Sequence, residues 1–423
     1  MEESMNFVHF STYDRGGAAQ AAYRFHSNLI ANGHDSLFFV KYKTVDDRTV
    51  LAPKKSIFSS IPKIINRLKI KVHLLASKYC FYNETMGSGS FMNFHEYIEH
   101  IPFQPDAIIL HWVSEFVDLR VIKQLQQHYR VPVFWYLMDM APMTGGCHYA
   151  WECEGYLNTC ENCPAVTWPQ YQSVHRMLMH KKELLDHMAV TALAPCSWVR
   201  AQLERSTLFR DKPIRDLMLA INHEVFMPGD KHAVRKKYGL NPAKKIIFFG
   251  ASSFEDPRKG MRYIVEALKQ LYRDHERLYE KLLIVTAGNP PAEKLIQMIG
   301  FEHKHIGFLQ GEQALAEGYQ LADVYVCASI EDSGPMMINE AIMCGTPVVA
   351  FDMGVASDLI IERQTGYLAE LKNIDDLKRG IESIIDLTDE TYSFMSKKCR
   401  EVGLKKLGEA NQINTFVNIV KGV

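Results

Sequence analysis

Short apolar runs recur along this chain, and most are followed by a stretch with helical spacing. In the first half they are NFVHF (6–10), DSLFFVKY (35–42), AIILHWV (107–113), PVFWYLM (132–138) and VTALAPC (190–196). In the second half they are KKIIFFG (244–250), KLLIVTAG (281–288), KHIGF (304–308), DVYVCAS (323–329) and PVVAFD (347–352). NFVHF reads as a buried strand, and AAQAAYRFHSNLI after it places Ala18, Ala22, Phe25 and Leu29 at helical intervals. A strand–helix repeat of this kind predicts an α/β fold with a mostly parallel sheet and right-handed crossovers.

The pattern weakens around 211–230 and then restarts, which predicts two Rossmann-like units joined by a linker near 212–228. The expected division is 1–212, with a cysteine-rich insertion at 144–168, and 213–404. The helical sequence within 405–423 is expected to cross back to the first unit. A length of 423 residues agrees with two or three domains and needs no staples to bury a core. The formal net charge of −1 gives no global attraction to nucleic acid. The start MEESMNFVHFST has no basic segment leading into a long apolar one, so a cytoplasmic chain is the expectation. In a reducing compartment the nine cysteines are expected as thiols or metal ligands.

The segment 54–78 carries Lys54, Lys55, Lys63, Arg67, Lys69, Lys71 and Lys78 and no acid, interleaved with isoleucine, leucine and valine. It reads either as a basic amphipathic helix making peripheral contact with the inner face of a membrane or as a surface helix packed on its own domain.

Open α/β sheets bind ligands at the carboxyl ends of their strands, and three loops stand there. In YDRGGAA (13–19), Gly16 and Gly17 allow close backbone approach, and the following helix offers N–H groups suited to phosphate. The string is not GxGxxG, and a plain strand-to-helix turn is the other reading. In GASSFEDPRKGMRYIVEAL (250–268), Arg258 and Lys259 precede Gly260 at a helix start, two cations that suit a diphosphate or simply form a solvated basic turn. In SIEDSGPMMINEAIMCGTPVVAFDMG (329–354), Asp332 and Glu340 lie about two helical turns apart, and Ser333–Gly334 offer N–H groups at the helix start. Carboxylates in such positions suit vicinal sugar hydroxyls; an ordinary helix with two polar residues is the plainer reading.

This third string resembles the signature of retaining glycosyltransferases of the GT-B fold, group 1, family 4: an acid, seven residues, Glu-Ala, then Gly-Thr-Pro-Val-Val. Here these are Asp332, Glu340-Ala341 and Gly345 to Val349. RGGAA is similar to the family's N-terminal glycine loop, RKG to its diphosphate turn, and INHEVFMP to its linker motif. The resemblance implies two Rossmann-like domains facing each other across a cleft and a UDP- or GDP-sugar donor held mainly by the second. Glu340 would hold the ribose, and Asp332 with Ser333 and Gly334 the donor sugar. Lys259, Arg258, Gly16 and Gly17 would hold the diphosphate. No catalytic metal is implied. The acceptor would be a glycan or lipid-linked saccharide in polysaccharide biosynthesis. Two positions depart from the family: Ala251 stands where it usually has Arg, and Met138, before Asp139, where it often has His. Asp139 is kept as a catalytic candidate, with His111 and His148 as possible sources of the missing imidazole.

Cys147, Cys153, Cys160 and Cys163 follow Asp139 closely, the last two as CxxC. The string TGGCHY…C…CxxCP resembles a subgroup of the same enzymes that carries this insertion. Its spacing suits a closed, structural zinc site; unligated thiols and a disulfide pair are the alternatives. All five tryptophans lie in the first unit, where aromatic faces suit an acceptor sugar. Trp112 and Trp135, on strand sequences, are expected in the core. Besides transfer, the chain reads as a non-catalytic sugar-nucleotide-binding scaffold. A sugar-nucleotide epimerase and a zinc hydrolase are further readings.

Overall fold

In a computed structural model, residues 4–52, 92–166, 171–275, 278–289 and 299–423 are described. The basic segment 54–78 and Trp168 lie outside them. Contacts divide the chain into unit 1, residues 1–219 with 412–423, and unit 2, residues 220–411.

Unit 1 contains β1 (Asn6–Tyr13), α1 (Gly17–Ala31), β2 (Asp35–Tyr42), β3 (Val50–Leu51), α2 (Phe94–Glu99), β4 (Ala107–Leu110) and α3 (Leu119–Tyr129). β5 (Val133–Tyr136), α4 (Tyr171–Asp186), β6 (Val190–Ala194), α5 (Ser197–Arg205) and β7 (Ile214–Asp216) follow. The strand order is β3-β2-β1-β4-β5-β6-β7, and all pairs are parallel. β7 falls inside the stretch read from sequence as linker. It is a short edge strand whose Arg215 and Asp216 are exposed, so it leaves no apolar signal.

Unit 2 contains α6 (Lys231–Lys237), β8 (Lys245–Ala251), α7 (Met261–Asp274), β9 (Leu282–Gly288), β10 (His303–His305), α8 (Glu312–Gln320) and β11 (Val324–Cys327). Then come α9 (Met336–Met343), β12 (Val348–Phe351), α10 (Ala356–Leu359), β13 (Gly366–Ala369), α11 (Ile374–Ile385) and α12 (Asp389–Leu407). The order β10-β9-β8-β11-β12-β13 is again wholly parallel. In both sheets the order reverses beside the first strand, between β1 and β4 and between β8 and β11. Adjacent loops leave in opposite directions at such a point and open a crevice.

The last helix, α13 (Glu409–Lys421), packs on unit 1. The ring of Phe416 lies 5.4 Å from Phe7, 5.0 Å from Phe25 and 5.4 Å from Phe134. Gln412 donates to the Met218 carbonyl at 2.8 Å. A phenylalanine buried this fully contributes about 2–3 kcal/mol by area removed from water. Among the described residues, no helix is long and apolar enough to cross a membrane.

Beneath the first sheet three imidazoles are shut in the core. His9 on β1 and His111 just past β4 stack at 5.3 Å, with Nδ1 of His9 3.0 Å from Nε2 of His111. His26 on α1 bonds Ser36 Oγ at 2.7 Å and Thr49 Oγ1 at 2.9 Å. His111 therefore faces the core and is not a source of the missing imidazole. Burial is the main reason that all three titrate below the ordinary value near 6.5, His26 at about 4 and His111 at about 3. Neighbouring imidazoles add to the effect at His9 and His111, whereas Asp47 opposes it at His26. The folded state binds fewer protons than the unfolded chain below pH 6.5. The stability present above that pH is thus lost as pH falls, by about 1.4 kcal/mol per unit and per histidine. The thermal midpoint of unit 1, followed by near-ultraviolet circular dichroism, should drop between pH 7 and pH 5. The drop should shrink in His26→Gln.

Candidate functional sites at the carboxyl edges of the two sheets

In unit 2 the switch point carries the charged groups. β8 ends at Ala251, and the chain turns through Pro257–Lys259 before α7. Asp256 caps that turn, accepting from the Arg258 N–H at 3.0 Å, with Pro257 at the first helical position. It also grips the Arg258 guanidinium, with Nη2 to Oδ2 at 2.6 Å. Arg258, read from sequence as a diphosphate ligand, thus already has an acid partner within its own turn. Gly260 closes the turn with φ 65°, and a Cβ there would meet the Ala328 carbonyl oxygen at 1.8 Å. Only glycine lets the turn lie against the end of β11.

That approach delivers Lys259. Its Nζ donates to Asp332 Oδ2 at 2.6 Å, while Asp332 Oδ1 accepts from the Gly334 N–H at 3.2 Å. Burial by itself lowers the lysine and raises the aspartate, but their mutual attraction and hydrogen bond outweigh it. Lys259 therefore ends above its ordinary value and Asp332 below. The pair is ionised, with side chains 17% and 7% exposed. Ser333 beside it is buried.

Glu340 lies on α9, buried, and accepts from the Tyr319 hydroxyl on α8 at 2.7 Å. Burial, then the Glu340 charge, raises the Tyr319 phenol well above its ordinary value. Tyr319 was not legible as a site residue, because a tyrosine on a helical stripe reads as core. Ala251, at the family's arginine position, is buried in register with Gly288 of β9.

Unit 1 holds a different set. β1 ends at Tyr13, and the fully buried Asp14 accepts from the Thr44 N–H at 2.5 Å and the Val45 N–H at 3.0 Å. This ties the loop after β1 to the loop after β2. Gly16, with φ 92°, and Gly17 are exposed, and a Cβ on either would meet nothing within 4 Å. The start of α1 has no side-chain cap and no acid in its first turn, so its first backbone N–H groups take no partner from within the helix.

Past β5, Asp139 Oδ1 accepts from the Ala141 N–H at 2.8 Å, and Oδ2 lies 3.1 Å from His148 Nδ1. Met140 N–H donates to the His148 carbonyl at 3.0 Å. Met138, in place of the family's histidine, packs against Ala22, Phe38, Val40 and Val50. The insertion thus brings His148 to Asp139, nine positions along the chain. Trp135 is in the core as expected. Trp112 is not: it is partly exposed one residue beyond His111, with ring centroids 6.3 Å from His148 and 5.6 Å from Tyr13. Tyr13 stacks on Tyr42 at 5.1 Å. The row Tyr42, Tyr13, Trp112 and His148 follows this edge of the sheet. Thr144 is buried within the insertion, bonded to the Cys147 carbonyl at 2.9 Å.

Comparison with known proteins follows this geometry. Residues 230–402 match the family model for Glycosyl transferases group 1, which supports a group 1 glycosyltransferase. The putative colanic acid biosynthesis glycosyl transferase WcaC of Escherichia coli K12 is 22% identical over 374 residues, 84% of this chain and 85% of that protein. D-inositol 3-phosphate glycosyltransferase 2 of Catenulispora acidiphila is 26% identical over 179 residues, 40% of this chain and 42% of that protein. The chain spans about two fifths of the length of the first curated relatives it matches. Sucrose-phosphate synthase from Thermosynechococcus elongatus superposes with a TM-score of 0.65 at 18% identity, covering 99% of this chain and 98% of that one. HepE of Anabaena, in complex with UDP-glucose, superposes at 0.63 and 13% identity, covering 99% and 100%. The fold is GT-B, with two parallel-sheet Rossmann-like domains.

Removing one partner of a buried ion pair leaves the other charge uncompensated, at a cost of about 3 kcal/mol or more. Lys259→Met and Asp332→Asn should each destabilise the chain by that order in urea unfolding. The double variant should lose clearly less than the sum. Additive losses would mean that the two side chains do not interact.

Proposed function

We propose that this chain is a retaining glycosyltransferase that moves a sugar from a UDP- or GDP-sugar to a glycan or lipid-linked saccharide. The observation that carries the reading is the buried Lys259–Asp332 pair at the switch point of the unit that matches group 1 glycosyltransferases. Without donor, the pair holds the cation in place. When a nucleotide sugar enters, its diphosphate competes for Lys259, and the Asp332 carboxylate becomes an acceptor for sugar hydroxyls. The Gly334 N–H and Ser333 stand beside it, and Glu340 is the candidate for the ribose hydroxyls. The bond from the anomeric carbon to the diphosphate oxygen breaks, and its electron pair stays with that oxygen. The acceptor hydroxyl forms the new bond on the same face and gives its proton to the leaving diphosphate oxygen. Developing charge on the diphosphate is met by Lys259 and backbone N–H groups, so this reading needs no metal ion.

In unit 1 the groups that this reading brings into play are the Gly16–Gly17 backbone and the Asp139–His148 pair. Asp139 orients the imidazole through Nδ1. A second reading, donor binding without turnover, is favoured by Met138 and Ala251, since each removes a polar group that the family usually has.

A donor panel in thermal shift separates these readings. The right nucleotide sugar at one hundred times its Kd stabilises the protein by about 2.7 kcal/mol. With an acceptor present, Lys259→Ala should lower kcat about 100-fold or more. Glu340→Ala should raise the donor KM, and His148→Ala should lower kcat while leaving donor binding intact. Binding with no transfer to any acceptor would favour the scaffold, and no donor binding at all would remove both readings.

A further inference from the structure

Between Thr144 and Val166 the insertion has, besides turns, bends and one isolated bridge residue at Cys147, a single three-residue 3-10 turn, Gly155–Leu157. Loops longer than about 12–15 residues without regular structure are uncommon in compact domains. Even so, Cys147, Tyr149, Ala150, Tyr156, Cys160 and Ala165 are buried. Something other than a ladder of backbone hydrogen bonds has to order this segment.

At its centre is a small cavity lined by Cys147, Cys153, Cys160 and Cys163, with Thr144 and Tyr156 among the other walls. All of these cysteines are free thiols, and Cys147 and Cys163 are in hydrogen-bond contact. Backbone N–H groups are aimed at the sulfurs. Gly155 donates to Cys153 Sγ at 3.4 Å, Gly145 donates to Cys160, and Ala165 and Val166 donate to Cys163. At Cys153 and at Cys163 the donor comes from the residue two positions later, so the same turn is made twice. A neutral thiol is a weak acceptor, whereas a thiolate takes such bonds readily. On the other side, Lys181 of α4 is 1% exposed and donates to the carbonyls of Ala141 at 2.7 Å and Thr144 at 3.2 Å. Four sulfurs converging on one cavity, with backbone donors and a cation beside them, form a set of soft metal ligands. Thiolates clustered in an apolar cavity need a cation among them.

We propose that Cys147, Cys153, Cys160 and Cys163 bind one zinc ion as a closed, four-thiolate structural site. Among the described residues, no three His, Cys, Asp or Glu side chains are already arranged to hold a metal ion. Binding would draw the sulfurs inward to zinc–sulfur bonds of about 2.3 Å. Binding releases four protons: one Zn²⁺ and four thiols give a tetrathiolate of charge −2, which Lys181 and the N–H donors offset. A disulfide between Cys147 and Cys163 would need an oxidant and would leave the donors facing a sulfur with little charge. Four thiolates leave no open coordination position, so the zinc does no chemistry. Its task is to hold the loop, and with it His148, which follows Cys147 directly and meets Asp139.

The full-length chain, purified under reducing conditions without added metal, should contain about one zinc per molecule by plasma mass spectrometry. Its insertion thiols should resist a thiol reagent until a chelator is added, and chelation should open 144–166 to protease. Cobalt in place of zinc should give the visible absorption of a tetrahedral thiolate complex. Cys160→Ser and Cys163→Ser should each lower bound zinc at least about ten-fold, whereas Cys399→Ala, buried in unit 2, should keep it. If Cys→Ser variants fail to fold, chelation of the native chain still decides the matter. Metal-free protein with all nine cysteines titrating would overturn the proposal, as would thiols lost to disulfides. None of these measurements uses transferase activity, so they stand or fall apart from the reading of the site.

Discussion

Both sheets are wholly parallel, and this constraint places everything else. Parallel pairing puts the carboxyl ends of all strands in a sheet on one edge, and the reversal of strand order opens that edge beside the first strand. In unit 1 the loops leaving β1 and β4 carry Gly16, Gly17 and Trp112. In unit 2 those leaving β8 and β11 carry Lys259 and Asp332. Residues 73 positions apart meet at 2.6 Å because the topology makes β8 and β11 neighbours, with the glycine at 260 permitting the last approach.

Two sets of polar groups, one in each unit, are held in different ways. Unit 1 buries three imidazoles that burial keeps neutral, with hydroxyls or each other as partners. Unit 2 pairs full charges: Lys259 with Asp332, the half-buried Arg258 with Asp256, and the buried Arg235 with Asp323 at 2.6 Å. A neutral histidine core is a matter of stability. On the proposed reading, Lys259 is the cation that a phosphate-bearing donor would take over from Asp332.

Much of the candidate site was readable because its motifs are local. Asp332, Glu340 and the Gly-Thr-Pro string lie on one loop and helix, and Arg258, Lys259 and Gly260 on one turn. The partners were not readable. Asp256 had a detectable signal, an acid before proline at a helix start. Tyr319, Asp14 and the pairing of His148 with Asp139 had none, because each depends on which loops fold against each other. Trp112 shows the same limit. A tryptophan at the end of an apolar run reads as core, but the strand stops at Leu110, and the indole stands at the edge with Tyr13 and Tyr42.

By itself the sequence determined the α/β class, the order of most strands and helices, and the loops able to carry chemistry. Those features follow from apolar periodicity and from glycine, proline and charge at fixed offsets. The tertiary structure decided which of those groups are occupied and which are offered. Arg258 is gripped by its own turn, His111 is turned into the core and Met138 fills an apolar cluster, whereas His148 arrives from the insertion. The reason is physical: a side chain's charge and availability depend on its burial and on partners brought from distant segments, and the spacing of residues along a chain carries neither.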